Sequence, residues 1–150
     1  MGNPSIMSID AAHQDAPDQA GAVPYRVREG RIEVLVVSSS RGYWLVPKGS
    51  VDPGEDQPAA AARETWEESG VKGEIDPDKL GTFTYEKTPY RVCVVDMYPL
   101  CVTDTAETWP EDHVRDRRWL DLEHAARVVR WPELGAIIRS LSERVTPQQR

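Results

Sequence analysis

Residues 49–71 constrain this chain more than any other stretch, because a loop rich in Gly and Pro leads directly into a segment that carries several glutamates. Pro58 suits the first turn of a helix, where its missing N–H costs nothing. Asp56 is a good acceptor for the unpaired amides of that turn. Gly70 suits a left-handed C-terminal cap. These signals predict a helix over residues 57–69.

The predicted helix has two different faces at a period of 3.6 residues per turn. Small or apolar side chains share one side, which we expect to face the core: Ala59, Ala62, Trp66 and Ser69. Glu64, Glu67 and Glu68 lie together on the other side, at spacings where like charges repel each other. A solvated acidic face is the simplest interpretation, but the preceding loop is costly to order unless it shapes a site. Loop carbonyls and carboxylates are preferred ligands of Mg²⁺ and Mn²⁺, so the pattern favours an open metal site completed by substrate oxygens.

The same stretch follows a motif written G-x5-E-x7-R-E-U-x-E-E-x-G-U, in which U is a bulky apolar residue. Its positions are occupied by Gly49, Glu55, Arg63, Glu64, Glu67, Glu68, Gly70 and Val71. Thr65 departs from the pattern at the first U but keeps a methyl group for packing. The stretch therefore resembles the Nudix box of the Nudix hydrolase superfamily. This resemblance implies an α/β fold, namely a Nudix-like α/β/α sandwich with a mixed β-sheet.

The rest of the sequence is consistent with one domain. Residues 1–19 are polar and lack the apolar centre of a signal peptide, so we expect a mobile N-terminal tail and a single Nudix hydrolase domain over residues 20–145. Apolar runs predict strands at residues 20–28, 32–37, 43–46, 73–76, 80–85 and 91–102. Pro24 indicates an edge or a bulge in the first strand. Helices are predicted at residues 122–129, capped by Asp121, and at residues 132–141. Strands with helices on either side favour an α/β sandwich.

Composition excludes several classes of function. The formal net charge of −7 argues against general nucleic-acid binding, which requires a basic face. No run approaches the ~20 apolar residues of a membrane-spanning helix. Cys93 and Cys101 lie in apolar runs without CxxC spacing, which favours buried free thiols in a reducing, cytoplasmic environment. His13, His113 and His124 lack metal-ligand spacing. We expect a monomer or homodimer that acts on a small-molecule polyphosphate, not on nucleic acid or a membrane.

Segments on both sides of the box are similar to one branch of the family. VSSSRGYWLVPKGS and RRWLDLEHAARVV look like the diphosphoinositol polyphosphate phosphohydrolase branch, which also acts on dinucleoside polyphosphates. The resemblance implies that substrate phosphates are bound by Ser39, Ser40, Arg41, Lys87 and Arg115. Lys48 adjoins Gly49, so its ammonium is also expected to reach a phosphate. Basic residues of that branch are missing at Gln19 and around Trp131 or Glu133, which weakens the match to a densely phosphorylated inositol.

The resemblance also implies a mechanism, in which a metal-bound water attacks a P–O–P linkage. Mg²⁺, with Mn²⁺ as a substitute, is then held by the carbonyl of Gly49 and by Glu64, Glu67 and Glu68. Glu67 is the expected general base and Glu64 the alternative. A later acidic loop offers further candidates: Glu107, Glu111 and Asp112. Arg63 and Glu55 are expected to support these carboxylates, and Lys48, Arg41 and Arg115 to stabilise the leaving group.

Three functions remain in view. The first is a Mg²⁺-dependent pyrophosphohydrolase of dinucleoside polyphosphates or diphosphoinositol polyphosphates. The second is a Nudix hydrolase of ADP-ribose, nucleotide sugars or nucleoside triphosphates. The third is a catalytically silent regulator that binds a ligand without turnover. The intact set of Glu64, Glu67 and Glu68 argues against the third.

Overall fold

The computed structural model of the protein describes residues 17–146. Within this range the strands form one eight-stranded sheet. In chain order they are β1 Gln19–Arg28, β2 Arg31–Ser38, β3 Trp44–Leu45, β4 Lys48–Ser50, β5 Val71–Ile75, β6 Gly81–Thr88, β7 Arg91–Thr105 and β8 Arg117–Asp121. The helices are α1 Gln57–Ser69, α2 Leu122–Val128 and α3 Pro132–Ser140, followed by a 3₁₀ turn at Leu141–Glu143. None of the helices in this range is long and apolar enough to cross a bilayer.

β1 lies at the centre of the sheet, whose main path is β3-β2-β1-β7-β5. It runs parallel to β7, and its other edge pairs antiparallel first with β4 and then with β2. Pro24 falls between the residues that pair with β4 and those that pair with β2, so neither antiparallel ladder requires an N–H there. The expectation of an edge or a bulge at Pro24 is therefore wrong, because β1 changes its partner at this point.

Separate hydrophobic cores cover the two faces of the sheet. α2 and α3 pack on one face, where their buried side chains meet those of β1, β2, β6 and β7: Ala125, Ala126, Leu134 and Ile138. α1 packs on the other face, where Ala60 and Ala61 contact a second set from β1 and β7: Ala20, Ala22, Tyr98 and Leu100. A mixed sheet with helices on both faces confirms the predicted α/β/α sandwich.

α1 begins and ends where the sequence predicts. Oδ1 of Asp56 accepts a hydrogen bond from the N–H of Ala59 at 2.9 Å. Gly70 adopts the left-handed conformation, with φ of 72°, and its N–H donates to the carbonyl oxygen of Trp66 at 2.9 Å. Both caps follow from local chemistry, which the sequence displays directly.

The face that α1 buries differs from the predicted one. The buried residues are Ala60, Ala61, Thr65, Glu68 and Ser69, so the assignment of Ala59, Ala62 and Trp66 to the core is wrong. The helix packs against alanines of β1, where small residues fit, and the bulky indole of Trp66 lies at the rim beneath the ammonium of Lys72. The buried hydroxyls find partners inside the helix, since Thr65 donates to the carbonyl of Ala61 at 2.7 Å and Ser69 to that of Thr65 at 2.6 Å.

Several boundaries also differ. β1 begins at Gln19, and the N–H of Asp18 already donates to the carbonyl of Val94 at 3.1 Å, so the sheet includes a residue placed in the predicted tail. Residues 1–16 of that tail, with His13, lie outside the described range.

The predicted cap of α2 is wrong, because Asp121 precedes the helix but makes no side-chain capping hydrogen bond. Its carboxylate instead faces Arg31 at 3.4 Å. Both cysteines are free; Cys93 is buried as expected, whereas Cys101 is only half-buried.

Candidate active site

β4 carries Gly49 directly against the carboxyl group of Glu64 on α1. A Cβ atom at position 49 would overlap the carbon and both oxygens of that group. Pairing with β1, opposite Ala20, fixes Gly49 in this place. Any larger residue would therefore displace Glu64, which gives a steric reason for glycine. The two residues that the sequence assigns to one site are adjacent in the structure.

Arg63 contacts three glutamates of the motif, namely Glu55, Glu64 and Glu67. Its Nε and Nη2 donate to the two carboxylate oxygens of Glu55, both at 2.9 Å. Its Nη1 donates to Glu64 at 3.1 Å and lies 3.5 Å from Glu67. Hydrogen bonds from Arg63 and from the backbone N–H of Asp52 lower the pKa of Glu55 to about 2. Arg63 thus contacts both Glu64 and Glu67.

Glu68 is the most buried of the helical carboxylates, with 7% of the residue exposed. Its Oε1 accepts a hydrogen bond from the backbone N–H of Lys48 at 3.4 Å, and its Oε2 lies 3.7 Å from Nη2 of Arg115. Burial raises the pKa of Glu68 to about 8, although Arg115 opposes the shift. Burial also raises the pKa of Glu64, against the effect of Arg63. Both negative charges are therefore costly unless further positive charge is supplied.

This donor set fits a divalent cation in its chemistry. The carbonyl oxygen of Gly49 and the carboxylates of Glu64 and Glu68 are hard oxygen donors. A bound cation would offset the cost of burying the negative charges of the two glutamates. Within residues 17–146, however, no group of three His, Cys, Asp or Glu side chains is arranged to hold a metal by itself. Glu67 is turned towards Arg63, with 36% of its side chain exposed. Such a partial set is typical of Mg²⁺ sites that water and substrate phosphate complete.

A cleft of about 330 Å³ is lined by Lys48, whose backbone N–H contacts Glu68, but by none of the carboxylates of α1. It brings together most of the predicted phosphate-binding residues, namely Ser39, Ser40, Arg41, Lys48 and Lys87. Ser39 also shapes the rim, because its hydroxyl oxygen accepts hydrogen bonds from the N–H groups of Arg41 and Tyr43 at 3.2 and 3.0 Å. A ligand in this cleft would meet Arg41 on the loop between β2 and β3 and Lys87 near the end of β6.

Sequence reasoning missed the aromatic and basic wall of the cleft, formed by Tyr43, Tyr85, Arg130 and Trp131. The rings of Tyr85 and Trp131 have centroids 4.7 Å apart, and the guanidinium of Arg130 lies 3.8 Å from the ring centroid of Tyr43. The only signal in the sequence was the departure noted around Trp131. The indole of Trp131 gives the cleft a flat apolar surface next to Arg130.

Lys48 connects the cleft to the carboxylates. Its backbone N–H reaches Glu68, whereas its Nζ donates to the hydroxyl of Tyr85 at 3.1 Å and lies 4.2 Å from the centroid of that ring. The Tyr85 hydroxyl donates in turn to Oε1 of Gln19 at 3.1 Å. Burial lowers the pKa of Lys48, and the nearby charge of Glu68 opposes this effect. Gln19 therefore contributes to the site through Tyr85.

Arg115, also predicted to bind substrate phosphate, is not among the residues that line the cleft. Its Nε donates to Glu111 at 2.7 Å and its Nη1 to the carbonyl oxygen of Ser38 at 2.8 Å. Of the other acidic-loop candidates, Asp112 accepts a hydrogen bond from the N–H of Trp109 at 3.0 Å. These contacts give Glu111 and Asp112 structural partners, while Arg115 keeps a charge next to Glu68.

Comparison with known proteins agrees with this geometry. The model of the NUDIX domain matches residues 16–141. "Nudix hydrolase 16, mitochondrial" of Arabidopsis thaliana is 38% identical over 131 residues, which cover 75% of this chain and 72% of that protein. "Diphosphoinositol polyphosphate phosphohydrolase 2" of Rattus norvegicus is 45% identical over 102 residues, covering 65% of this chain and 54% of that protein.

A solved structure of an Ap4A hydrolase binary complex from C. elegans superimposes with a TM-score of 0.71 at 32% identity, covering 85% of this chain and 96% of that one. Several curated relatives are longer, and the chain spans 56% of the length of "Nudix hydrolase 4" of Arabidopsis thaliana, at 39% identity. The match of the domain model over most of the sequence, on a fold that sets Gly49 against Glu64, shows that the chain belongs to the Nudix family.

Proposed function

We propose that the protein is a Mg²⁺-dependent pyrophosphohydrolase that cleaves a P–O–P bond in a nucleoside- or inositol-linked diphosphate. One observation carries this proposal: Lys48 touches Glu68 with its backbone and lines the basic cleft with its side chain. A polyphosphate in the cleft would therefore extend towards the helical carboxylates. The names of the matching relatives, which include hydrolases of diphosphoinositol polyphosphates and of Ap4A, support the same class.

Each residue then has a role that follows from its position. Gly49, Glu64 and Glu68 would hold Mg²⁺, which when bound neutralises phosphate oxygens and lowers the pKa of water. Glu67, partly exposed and within 3.5 Å of Arg63, would accept the proton of the attacking water. Arg41, Lys48 and Lys87 would bind the phosphate chain and stabilise the leaving group.

The cleft wall favours nucleoside-linked substrates over inositol-linked ones. Tyr43, Tyr85 and Trp131 present flat apolar surfaces, and such rings stack on a purine more readily than on a highly phosphorylated inositol. Glu86 also lines the cleft and would repel a densely charged ring. Dinucleoside polyphosphates are therefore the preferred candidates.

A substrate panel tests the proposal. Release of phosphate and nucleotide is measured from diadenosine tetra- and hexaphosphate, a diphosphoinositol polyphosphate, ADP-ribose and nucleoside triphosphates, in Mg²⁺ and then in EDTA. We expect metal-dependent cleavage that is fastest for the diadenosine compounds. Preference for the inositol compound would contradict the argument from the aromatic wall. Preference for ADP-ribose or triphosphates would contradict the substrate class, and binding without turnover would indicate a silent regulator.

A further inference from the structure

The C-terminal turn of α1 is held by an unusually complete set of partners. Helix ends usually leave their last four carbonyl groups without intrahelical partners. Here the carbonyl of Glu67 accepts from the N–H of Glu111 at 3.1 Å, and that of Gly70 from the N–H of Ala106 at 2.9 Å. The carbonyl of Trp66 accepts from the N–H of Gly70, and those of Glu68 and Ser69 accept from side chains of two residues that the proposed mechanism does not use, Trp109 and Arg117.

Trp109 and Arg117 act on neighbouring carbonyls of this turn. The indole Nε1 of Trp109 donates to the carbonyl oxygen of Glu68 at 3.0 Å. Nη1 of Arg117 donates to the carbonyl oxygen of Ser69 at 2.8 Å, and Nη2 to that of Ala106. The guanidinium lies 4.0 Å from the ring centroid of Trp109, so each side chain fixes the other.

The positive charge of Arg117 lies at the C-terminal end of α1, where the helix carries partial negative charge. Among the described residues no carboxylate lies within ion-pair distance of its guanidinium, and its hydrogen bonds all go to backbone carbonyls. A cation is favourable at a helix C-terminus, where the aligned peptide dipoles leave partial negative charge. A side chain at Gly70 would overlap this arrangement, since a Cβ atom there would lie 2.9 Å from both Nη1 of Arg117 and the side chain of Trp109.

These contacts hold the backbone of the turn that carries Glu67 and Glu68. Glu67 and Glu68 lie in the turn whose carbonyls are held, and the same 106–116 loop presents Arg115 to the Glu68 side chain at 3.7 Å. The loop thus fixes the backbone of both glutamates and the side chain of one. In phosphoryl transfer, where positioning and electrostatics supply most of the catalysis, a small displacement of such groups has a large effect on rate.

We propose that Arg117 and Trp109 form a positioning clamp, which grips the last turn of α1 and aligns Glu67 and Glu68 for catalysis. The clamp rests on the proposed function, because it assigns these residues to the same reaction. Neither residue contacts the cleft, so the clamp should set the turnover number and leave substrate affinity nearly unchanged.

Three variants test the clamp in the full chain. Arg117→Met keeps the length of the side chain but removes its donors, and Arg117→Lys keeps the charge but not the planar fork. Trp109→Phe keeps an aromatic ring beside Arg117 but removes the Nε1 donor together with part of the indole. Arg26→Met is the matched control, because Arg26 also lies 4.0 Å from a tryptophan ring, that of Trp119, but donates to Glu33 instead of a helix end.

Kinetics and amide hydrogen exchange give independent readouts. With diadenosine tetraphosphate and Mg²⁺, we expect kcat to fall by about tenfold to about a hundredfold in Arg117→Met, and less in Arg117→Lys, with KM within about twofold. Exchange should accelerate at the N–H groups of Glu111 and Ala106, whose acceptors lie in the clamped turn. Trp109→Phe should show the same pattern with little loss of thermal stability, while Arg26→Met should keep both its kcat and the slow exchange of these amides.

The results separate the clamp from the function on which it rests. An unchanged kcat in Arg117→Met and Trp109→Phe, or a loss equal to that in Arg26→Met, would overturn the clamp. If Arg117→Met does not fold, Trp109→Phe decides the question by the same measurements. If the wild-type protein hydrolyses nothing in the panel, the proposed function fails. In that case, faster exchange at Glu111 and Ala106 in Arg117→Met and Trp109→Phe, together with weaker Mn²⁺ binding measured by calorimetry, would still support the clamp. Unchanged exchange and unchanged Mn²⁺ binding in these variants would overturn it.

Discussion

Arg63 and Glu55 form a two-point ion pair, in which Nε and Nη2 of the arginine each donate to one carboxylate oxygen at 2.9 Å. The same Nη2 donates to the carbonyl oxygen of Ser50 at 2.9 Å. A planar guanidinium matches a carboxylate well in this geometry. The pair therefore ties the loop before α1 to the helical turn that carries Glu64.

Glu55→Gln should lower the melting temperature most at neutral pH and least in acid. Hydrogen bonds from Arg63 lower the pKa of Glu55 to about 2, from an ordinary value of 4.5. Because the folded pKa is the lower one, the stabilisation is complete above the unfolded pKa and is lost as pH falls through the folded pKa. Thermal unfolding of both proteins from about pH 7 to about pH 3 measures this. A difference in melting temperature that does not change with pH would contradict the ion pair.

Glu68→Gln should remove most turnover without unfolding the protein. Glutamine has the shape of glutamate but no charge to bind Mg²⁺, whose electrostatic effect is worth several kcal/mol. We therefore expect kcat to fall by about a hundredfold or more. Circular dichroism and the melting temperature in EDTA should match those of the wild type or exceed them. Full turnover in this variant would refute the assignment of Glu68 to the metal site.

The metal-free protein should become less stable as pH rises, through the same residue. Burial raises the pKa of Glu68 to about 8, above its ordinary value of 4.5, so the folded state binds the extra proton between these values. Stability then falls as pH rises through this window. In EDTA, the melting temperature of Glu68→Gln relative to wild type should therefore increase from about pH 5 to about pH 8. Adding Mg²⁺ should stabilise the wild type more than the variant. A ligand stabilises the folded state only by binding to it, and the variant lacks the Glu68 charge that binds Mg²⁺.

Gly49→Ala should disable the site by sterics alone. A Cβ atom at position 49 would overlap the Glu64 carboxyl group. We therefore expect the free energy of unfolding to fall by about 1–3 kcal/mol and the enzyme to lose most of its turnover. Gly54→Ala is the matched control, because Gly54 has φ of +82° with open space around it. The control pays for backbone strain of about 1 kcal/mol yet leaves Glu64 in place. Equal activity in the two variants would show that the contact with Glu64 does not matter.

The sequence predicted the features that depend on local chemistry. The bounds of α1 follow from Asp56 and Gly70, whose capping needs no tertiary information. The resemblance to the motif also assigned Gly49, Glu64 and Arg63 to one site, although the contact between Gly49 and Glu64 depends on the pairing of β4 with β1, which no local pattern displays.

Features that depend on packing were less accessible. The buried face of α1 could not be read from hydrophobicity, because Ala60 and Ala61 pack on alanines of β1 while Trp66 stays at the rim. The wall of the cleft combines Tyr43, Tyr85 and Trp131, which are distant in sequence and meet only when β6 and the α2–α3 connection cover the same end of the sheet. No periodicity within a single element reports such a meeting.

Arg130, which sequence reasoning missed, should contribute to substrate affinity. It lines the cleft with its guanidinium 3.8 Å from the Tyr43 ring centroid, and α2 and α3 flank it on either side. Arg130→Met keeps the side-chain length and removes the charge, so a lost charge-assisted hydrogen bond of about 1.5–3 kcal/mol should raise KM by about tenfold or more. Steady-state kinetics with diadenosine tetraphosphate measures the change. Arg127→Met is the control, because Arg127 is exposed on α2 and does not line the cleft, so its KM should stay at the wild-type value. If both variants raise KM equally, the effect comes from net charge at a distance and Arg130 is not a contact residue.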